Sequence, residues 1–313
     1  MVVLLLLAPL VAEVQFGTTV LSQIGGFLLQ PPLYGCGALV VREVARRTGG
    51  GWPAIVLLGG VYAIVEEAVA EPTWLTPALF SHPIGVWGGV FTVYAAFNFG
   101  LHAVWSIGLP ILLIEMLFPS RRYQPWLGRA GIAVCLVVYA ATMTFAGLVF
   151  YGQPQVRLHP VQMAVFALIG VALAIVAVRW AHPAASNGRA APRPWVVFLV
   201  VLVACALWFA FLVASDSGDR LPGYAAPLVL AAEVVVAAPV LGLLHCWTAS
   251  AKWSDAHRVA VIAAAMIPDM LPGYQWLTKP QDIAFKAVVN VAMLAFLVVL
   301  AYHRRKGRVD VEG

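Results

Sequence analysis

The 313 residues are 62% hydrophobic and 11% charged, with a net charge of +5. A soluble domain carries about 25% charged residues, so the composition excludes an ordinary soluble globular chain. It leaves room for about ten membrane spans of roughly 20 residues each. The positive balance does not point to nucleic acid, because the basic residues gather at the ends of apolar segments, where they orient spans in a bilayer.

The opening MVVLLLLAPLVAEV has the apolar run of a leader but no Lys or Arg before Arg42. Residues 2–16 are therefore predicted as a retained first span, with Glu13 near its far end. Residues 17–32 are interrupted by Gly, Gln and Pro, and fit either a re-entrant loop or the start of a second span. That second span, 33–47, ends in REVARR, where Glu43 reaches Arg46 and Arg47 at helical spacing. Gly49, Gly50 and Gly51 turn the chain, and Trp52-Pro53 opens a third span, 52–71, with proline at an early position where it is tolerated.

Further spans are predicted at 90–117, 130–151, 161–180, 194–214, 224–247, 258–277 and 282–303, all within one transmembrane domain, 1–313. The stretch from Trp87 to Phe118 corresponds to about 46 Å of helix against a hydrocarbon core of about 30 Å. It must tilt, kink near Pro110 or lie partly outside. The expected fold class is an all-α polytopic bundle of about ten helices. With the N-terminus inside, 15 of the 19 basic residues fall on the inner side and four on the outer. That asymmetry predicts two cytoplasmic termini in a plasma (inner) membrane. Cys36, Cys135, Cys205 and Cys246 fall within spans, show no CxxC spacing, and read as small apolar thiols.

Placing polar residues by depth concentrates them in the outer half. Glu13, Glu66, Glu67, Asn98, His102, Glu233, Asp269, Asp282, Lys286 and Asn290 all fall there or at mid-depth. Glu115 and His245 fall near inner helix ends, where snorkelling suffices. The concentration implies a water-accessible cavity open to the outside. Asn98, Asn290 or Glu13 taken singly fits a helix-pairing hydrogen bond equally well. Glu66, Glu67 and His102 together read as a functional site, with Asn98 four residues before His102 in support, because carboxylates are costly in lipid and rarely kept without a use. Asp282 and Lys286 read as an interfacial ion pair at helical spacing.

Two carboxylates and a histidine support three chemistries. They can hold a divalent ion such as zinc, with Glu67 and His102 as ligands, and activate a water. They can act as general base and acid without a metal. They can relay protons or bind a cation during transport. The expected partners are the lipid bilayer and a small-molecule, lipid or membrane-peptide substrate, with no nucleic acid. A non-catalytic membrane partner or sensor is the third class of function.

The pair Glu66-Glu67 followed by His102 on the next span resembles the CPBP intramembrane proteases and Abi proteins, whose motifs are EExxxR, then FxxxH, then a further His-containing helix. Glu71 stands at the arginine position of that pattern and Asn98 at the phenylalanine position, and no HxxxN follows. The resemblance implies a hydrolase, with Glu67 as base or ligand and His102 as ligand or oxyanion donor. The longer stretch YGCGALVVREVARRTGGGWPAIVLLGGVYAIVEE is similar to an uncharacterised group of bacterial multi-pass proteins, a resemblance that implies no activity.

Overall fold

The computed structural model describes residues 1–79, 85–183, 188, 190–216 and 225–312, with side chains for all of these except 212–216 and 305–312. Arg189 and Arg220, both in the charge count above, lie outside the described residues. Ten helices carry the fold. They are α1 Val2–Gln15, α2 Pro31–Arg47, α3 Trp52–Ala70, α4 Thr92–Leu117 and α5 Arg129–Tyr151. They continue as α6 Pro160–Arg179, α7 Pro194–Asp216, α8 Ala226–Thr248, α9 Asp255–Asp269 and α10 Pro280–Glu312. The only strands among the described residues are a two-residue antiparallel hairpin, Val86–Trp87 with Val90–Phe91. Its turn, Gly88-Gly89, has positive φ at both positions (56° and 79°), the conformation of a primed hairpin turn that suits glycine.

Seven of these helices are long and apolar enough to cross a membrane, or eight if α2 is counted with the short 3-10 helix Leu21–Leu29 that meets it at 45°. Ten spans is more than the helix lengths support. At 1.5 Å per residue, α1 and α9 measure about 21 and 23 Å, short of a core of about 30 Å. The undecided stretch 17–32 is this 3-10 helix, broken from α2 at Gln30-Pro31-Pro32. The excess length around α4 is resolved by the hairpin, so that helix starts only at Thr92.

Prolines open several helices at N1 or N2, where the missing N–H is no loss. Helix α9 starts on a capping box in which Ser254 Oγ lies 2.8 Å from His257 Nδ1, and the same nitrogen accepts the Ser254 N–H at 3.1 Å.

The bundle has a centre and a rim. The most apolar 18 residues of α4 are 78% buried and those of α3 61%, whereas α5 to α8 bury only 11–22% of theirs. Rim helices that are apolar all round and exposed have lipid as their solvent. Helix α3 lies tightly on α4. A Cβ at Gly59 would stand 2.8 Å from the Ala103 carbonyl oxygen, and one at Gly60 would overlap the Phe99 ring. Small residues at a crossing let two backbones approach, which is how helices gain contact without a hydrophobic drive in lipid.

One end of the bundle is fastened by buried charge. Arg42 and Glu43 are fully buried. Arg42 Nε lies 3.2 Å from Glu115 Oε1, and Arg46 grips the same carboxylate through Nε at 2.8 Å and Nη2 at 2.6 Å. The Arg42 guanidinium also stacks 3.5 Å from the Trp126 ring and donates to the carbonyls of Arg121, Arg122 and Gln124. Glu43 accepts from the backbone N–H groups of Trp126 and Leu127. Glu43 thus pairs with Arg47 but not with Arg46, and Glu115 does not snorkel: it is 1% exposed and held by two arginines. Beyond it, Asp255 pairs with Arg122 and Arg258, both at 2.9 Å. Burial raises the Asp255 carboxyl, but the Arg122 hydrogen bond and charge, with Arg258, outweigh it and hold the group below its usual range. His245, by contrast, is exposed.

Candidate carboxylate–histidine site

At the other end, the helices carrying polar residues share one local feature. Residues Leu10–Gln15 of α1, Pro31–Gly35 of α2, Val65–Ala70 of α3 and His102–Gly108 of α4 are wound as π-helix. In α3 this sets the Glu71 N–H on the Glu66 carbonyl, five residues back, at 2.6 Å. A π-turn adds a residue to the helical circuit and re-aims the side chains beside it, and such turns recur at functional sites. Glu13, Tyr34, Glu66, Glu67 and His102 all sit on these stretches.

The three residues singled out from the sequence meet here. His102 Nε2 lies 3.0 Å from Glu67 Oε1, and His102 Nδ1 lies 3.2 Å from Glu66 Oε2. Among the described residues, these three form a group whose ligand atoms all lie within 4.8 Å of one another. Their surroundings fix them. Thr73 Oγ1 donates to Glu67 Oε2, and the Tyr34 ring stacks on His102 with centroids 6.2 Å apart and planes 11° from parallel. Tyr62 packs against the same imidazole at 5.9 Å. Tyr34 OH in turn donates to Glu13 Oε1 at 2.6 Å, and Thr18 Oγ1 donates to Glu13 Oε2 at 2.5 Å.

Asn98 is near but faces elsewhere. Its Oδ1 accepts from Trp74 Nε1 at 3.0 Å and its Nδ2 donates to Tyr94 OH at 3.4 Å. Through Trp74 it anchors the segment whose Thr73 bonds Glu67. The three residues are nearly closed from solvent: Glu66 is 2% exposed, Glu67 8% and His102 4%. With Thr73 bonded to Glu67, the three side chains are thus closed in rather than open to the outward cavity that the sequence predicts.

The proton count of the triad is informative. A neutral imidazole has one N–H, yet both ring nitrogens here face carboxylates. Glu66 Oε2 and His102 Nδ1, though 3.2 Å apart, are not aligned as a hydrogen bond and are buried without another partner. Buried polar atoms left unpaired are costly. A shared proton or a bound cation between them relieves that cost. Two ligands each about 2.0–2.1 Å from a tetrahedral zinc lie about 3.3 Å apart; an ion on one imidazole nitrogen would meet one carboxylate at that spacing, with the other residue's ligand atom within 4.8 Å.

A second polar cluster adjoins the first through α1. Gln15 Nε2 donates to Asp269 Oδ2 at 2.7 Å, and Lys286 Nζ donates to the carbonyls of Gln15 at 2.5 Å and Phe16 at 2.7 Å. Asp282 caps the start of the Leu21–Leu29 helix instead, accepting from Ser22 N at 2.9 Å and Ser22 Oγ at 2.7 Å. The expected Asp282–Lys286 ion pair does not form, because Lys286 bonds the end of α1 and the residue after it while Asp282 bonds Ser22. Asn290 donates to the Met270 carbonyl at 3.2 Å. Tyr34, Thr73 and Trp74 are the site residues that sequence reasoning missed; a tyrosine or threonine in an apolar run carries no signal of its own.

No curated protein and no solved structure matches the chain. The model of an uncharacterised membrane protein family matches residues 2–304. A match over nearly the whole length, on a bundle of long apolar helices, makes this chain a multi-pass member of that uncharacterised membrane protein family.

Proposed function

We propose that the protein is an intramembrane hydrolase whose site is Glu66, Glu67 and His102. The observation that carries this reading is the buried group of Glu66, Glu67 and His102, each offering one ligand atom within 4.8 Å of the other two. Three convergent protein donors are the ligand number of catalytic zinc sites, which keep a further position for water or substrate. Glu66, Glu67 and His102 would hold the ion. When bound, it supplies a nucleophilic water at neutral pH and polarises a carbonyl. In the metal-free form of the same chemistry, Glu67, the most exposed of the three and bonded to Thr73, is placed to take or return the proton. Tyr34 and Tyr62 pack on the imidazole and keep its orientation.

Below the site, α4 presents Ile107, Leu109, Ile111, Leu113, Ile114 and Met116, all buried. This apolar stretch separates the site from the arginine-rich end and supports a site served from one face of the membrane. The distribution of basic residues supports an outward-facing site, cytoplasmic termini and a plasma membrane location. Asn98 acts by holding Trp74, and thereby the segment that carries Thr73, in place.

The second reading is a proton- or cation-coupled transporter. The neighbouring Gln15–Asp269–Lys286 cluster favours it, because two ionisable groups flank the same turn of α1. One comparison separates the two. Purified protein is screened against membrane-peptide and lipid-ester substrates, and reconstituted vesicles are assayed for pH-gradient-driven uptake, each with Glu67→Gln alongside. Hydrolysis lost in Glu67→Gln supports the hydrolase; uptake lost in the same variant, without hydrolysis, overturns it.

A further inference from the structure

Away from the carboxylates, three cavities run end to end along the inner wall of α8. The first, about 350 Å³, lies at the arginine-rich end and is lined by Arg46, Arg122, Arg258, Glu115, Tyr123 and Trp52 among others. The second, about 370 Å³, shares Trp52, His245, Thr248, Trp253 and Arg258 with it and is otherwise apolar. The third, about 240 Å³, shares Val56, Val104, Leu109, Leu241, Leu244 and Val261 with the second and ends at Phe99 and Trp208. The wall that α8 contributes runs from Val236 to Thr248, about 18 Å, more than half the depth of a hydrocarbon core.

The groove has the polarity of an amphiphile. Its mouth is lined by Arg46, Arg122, Arg258 and Glu115; with the adjoining Arg42, Glu43 and Asp255 that makes four arginines against three carboxylates, so one positive charge is in excess before His245 is counted. Trp52 and Trp253 stand at the same level, the place of interfacial aromatics. Deeper in, the lining is Val, Leu, Ala, Phe and Trp, with Cys205. Leu241 lines both apolar cavities and is 46% exposed, so the groove opens sideways to lipid. A peptide would leave its backbone polar groups unpaired against such walls. An acyl chain leaves nothing unpaired, and a basic pocket between helices suits an anionic headgroup.

We infer that this groove is a binding site for one anionic phospholipid, its phosphate at Arg46, Arg122 and Arg258 and one acyl chain along Trp52, Leu109, Leu241 and Val261 toward Trp208. The site is independent of the carboxylate–histidine chemistry at the other end of the bundle.

The test is native mass spectrometry of delipidated protein titrated with phosphatidylglycerol or phosphatidylcholine of identical chains, with inorganic phosphate as competitor. Wild type should retain one phosphatidylglycerol in preference to phosphatidylcholine. Arg258→Gln should reduce that preference about fivefold, and Ala237→Phe, which fills the groove without touching charge, should lower retention of the bound lipid. Both variants are compared only after their melting temperatures in detergent match wild type; Leu241→Trp replaces Ala237→Phe if the latter does not fold. Equal retention of the two lipids by wild type, retention unchanged when the groove is filled, or displacement of the lipid by millimolar phosphate alone would each overturn the proposal.

Discussion

Gly59 of α3 lies against the backbone of Ala103 of α4, and the next residue before Ala103 is His102. The distance between these two backbones sets the distance between the imidazole and the carboxylates about two turns further along α3. A methyl group at Gly59 would meet the Ala103 carbonyl oxygen at 2.8 Å, a backbone atom that cannot swing aside. Gly59→Ala should therefore push the helices apart and weaken the site, whereas Gly26→Ala, with nothing within 4 Å, should not. Metal retention and hydrolysis of the two variants check this. Equal behaviour would mean that the crossing does not position the site.

The arginine-rich end makes a stability prediction. Glu115 is buried between Arg42 and Arg46. Removing one partner of a buried ion pair leaves an uncompensated charge and costs about 3–5 kcal/mol. Glu115→Gln should lower the unfolding free energy in detergent by that order, while His245→Ala, at an exposed position, should change it little. The same denaturation series reads both.

Asp255 gives the pH dependence. Its folded pKa lies below the unfolded value, mainly through Arg122 once the opposing effect of burial is overcome. A depressed carboxyl contributes stability that is complete above its unfolded pKa and is lost as pH falls toward the folded one. Thermal stability in detergent should thus decline below about pH 5, and Asp255→Asn should remove part of that decline while being less stable at neutral pH. An acid limb unchanged in the variant would contradict the pairing with Arg122 and Arg258.

The helical, multi-pass character was legible in composition alone, because no soluble fold accommodates so few charges. Glu66, Glu67 and His102 were legible because charge inside an apolar run is expensive. Several features were not. Helix α9 reads as a span by hydropathy, but its length is cut at Asp269 by the turn through Pro272 and Gly273, and only the backbone shows that. The π-turns that bring Glu13, Tyr34 and His102 together leave no mark in residue type. The partners of Glu115, Lys286 and Asp282 are all distant in the chain, so helical spacing offered the wrong neighbours for Arg46 and Lys286. The Thr73 bond to Glu67 comes from the connection between two helices, where a threonine carries no signal of its own.

The central claim is that Glu66, Glu67 and His102 together hold a metal ion for hydrolysis. The most direct measurement is the metal content of protein purified without chelator after growth in zinc-supplemented medium, beside His102→Ala and Glu67→Gln. The account predicts about one divalent ion per chain in wild type, the number set by a single three-donor site, and its loss in His102→Ala with the helical content unchanged. Wild type free of metal, or His102→Ala retaining it, would contradict the account and leave the shared proton of the transporter reading in its place.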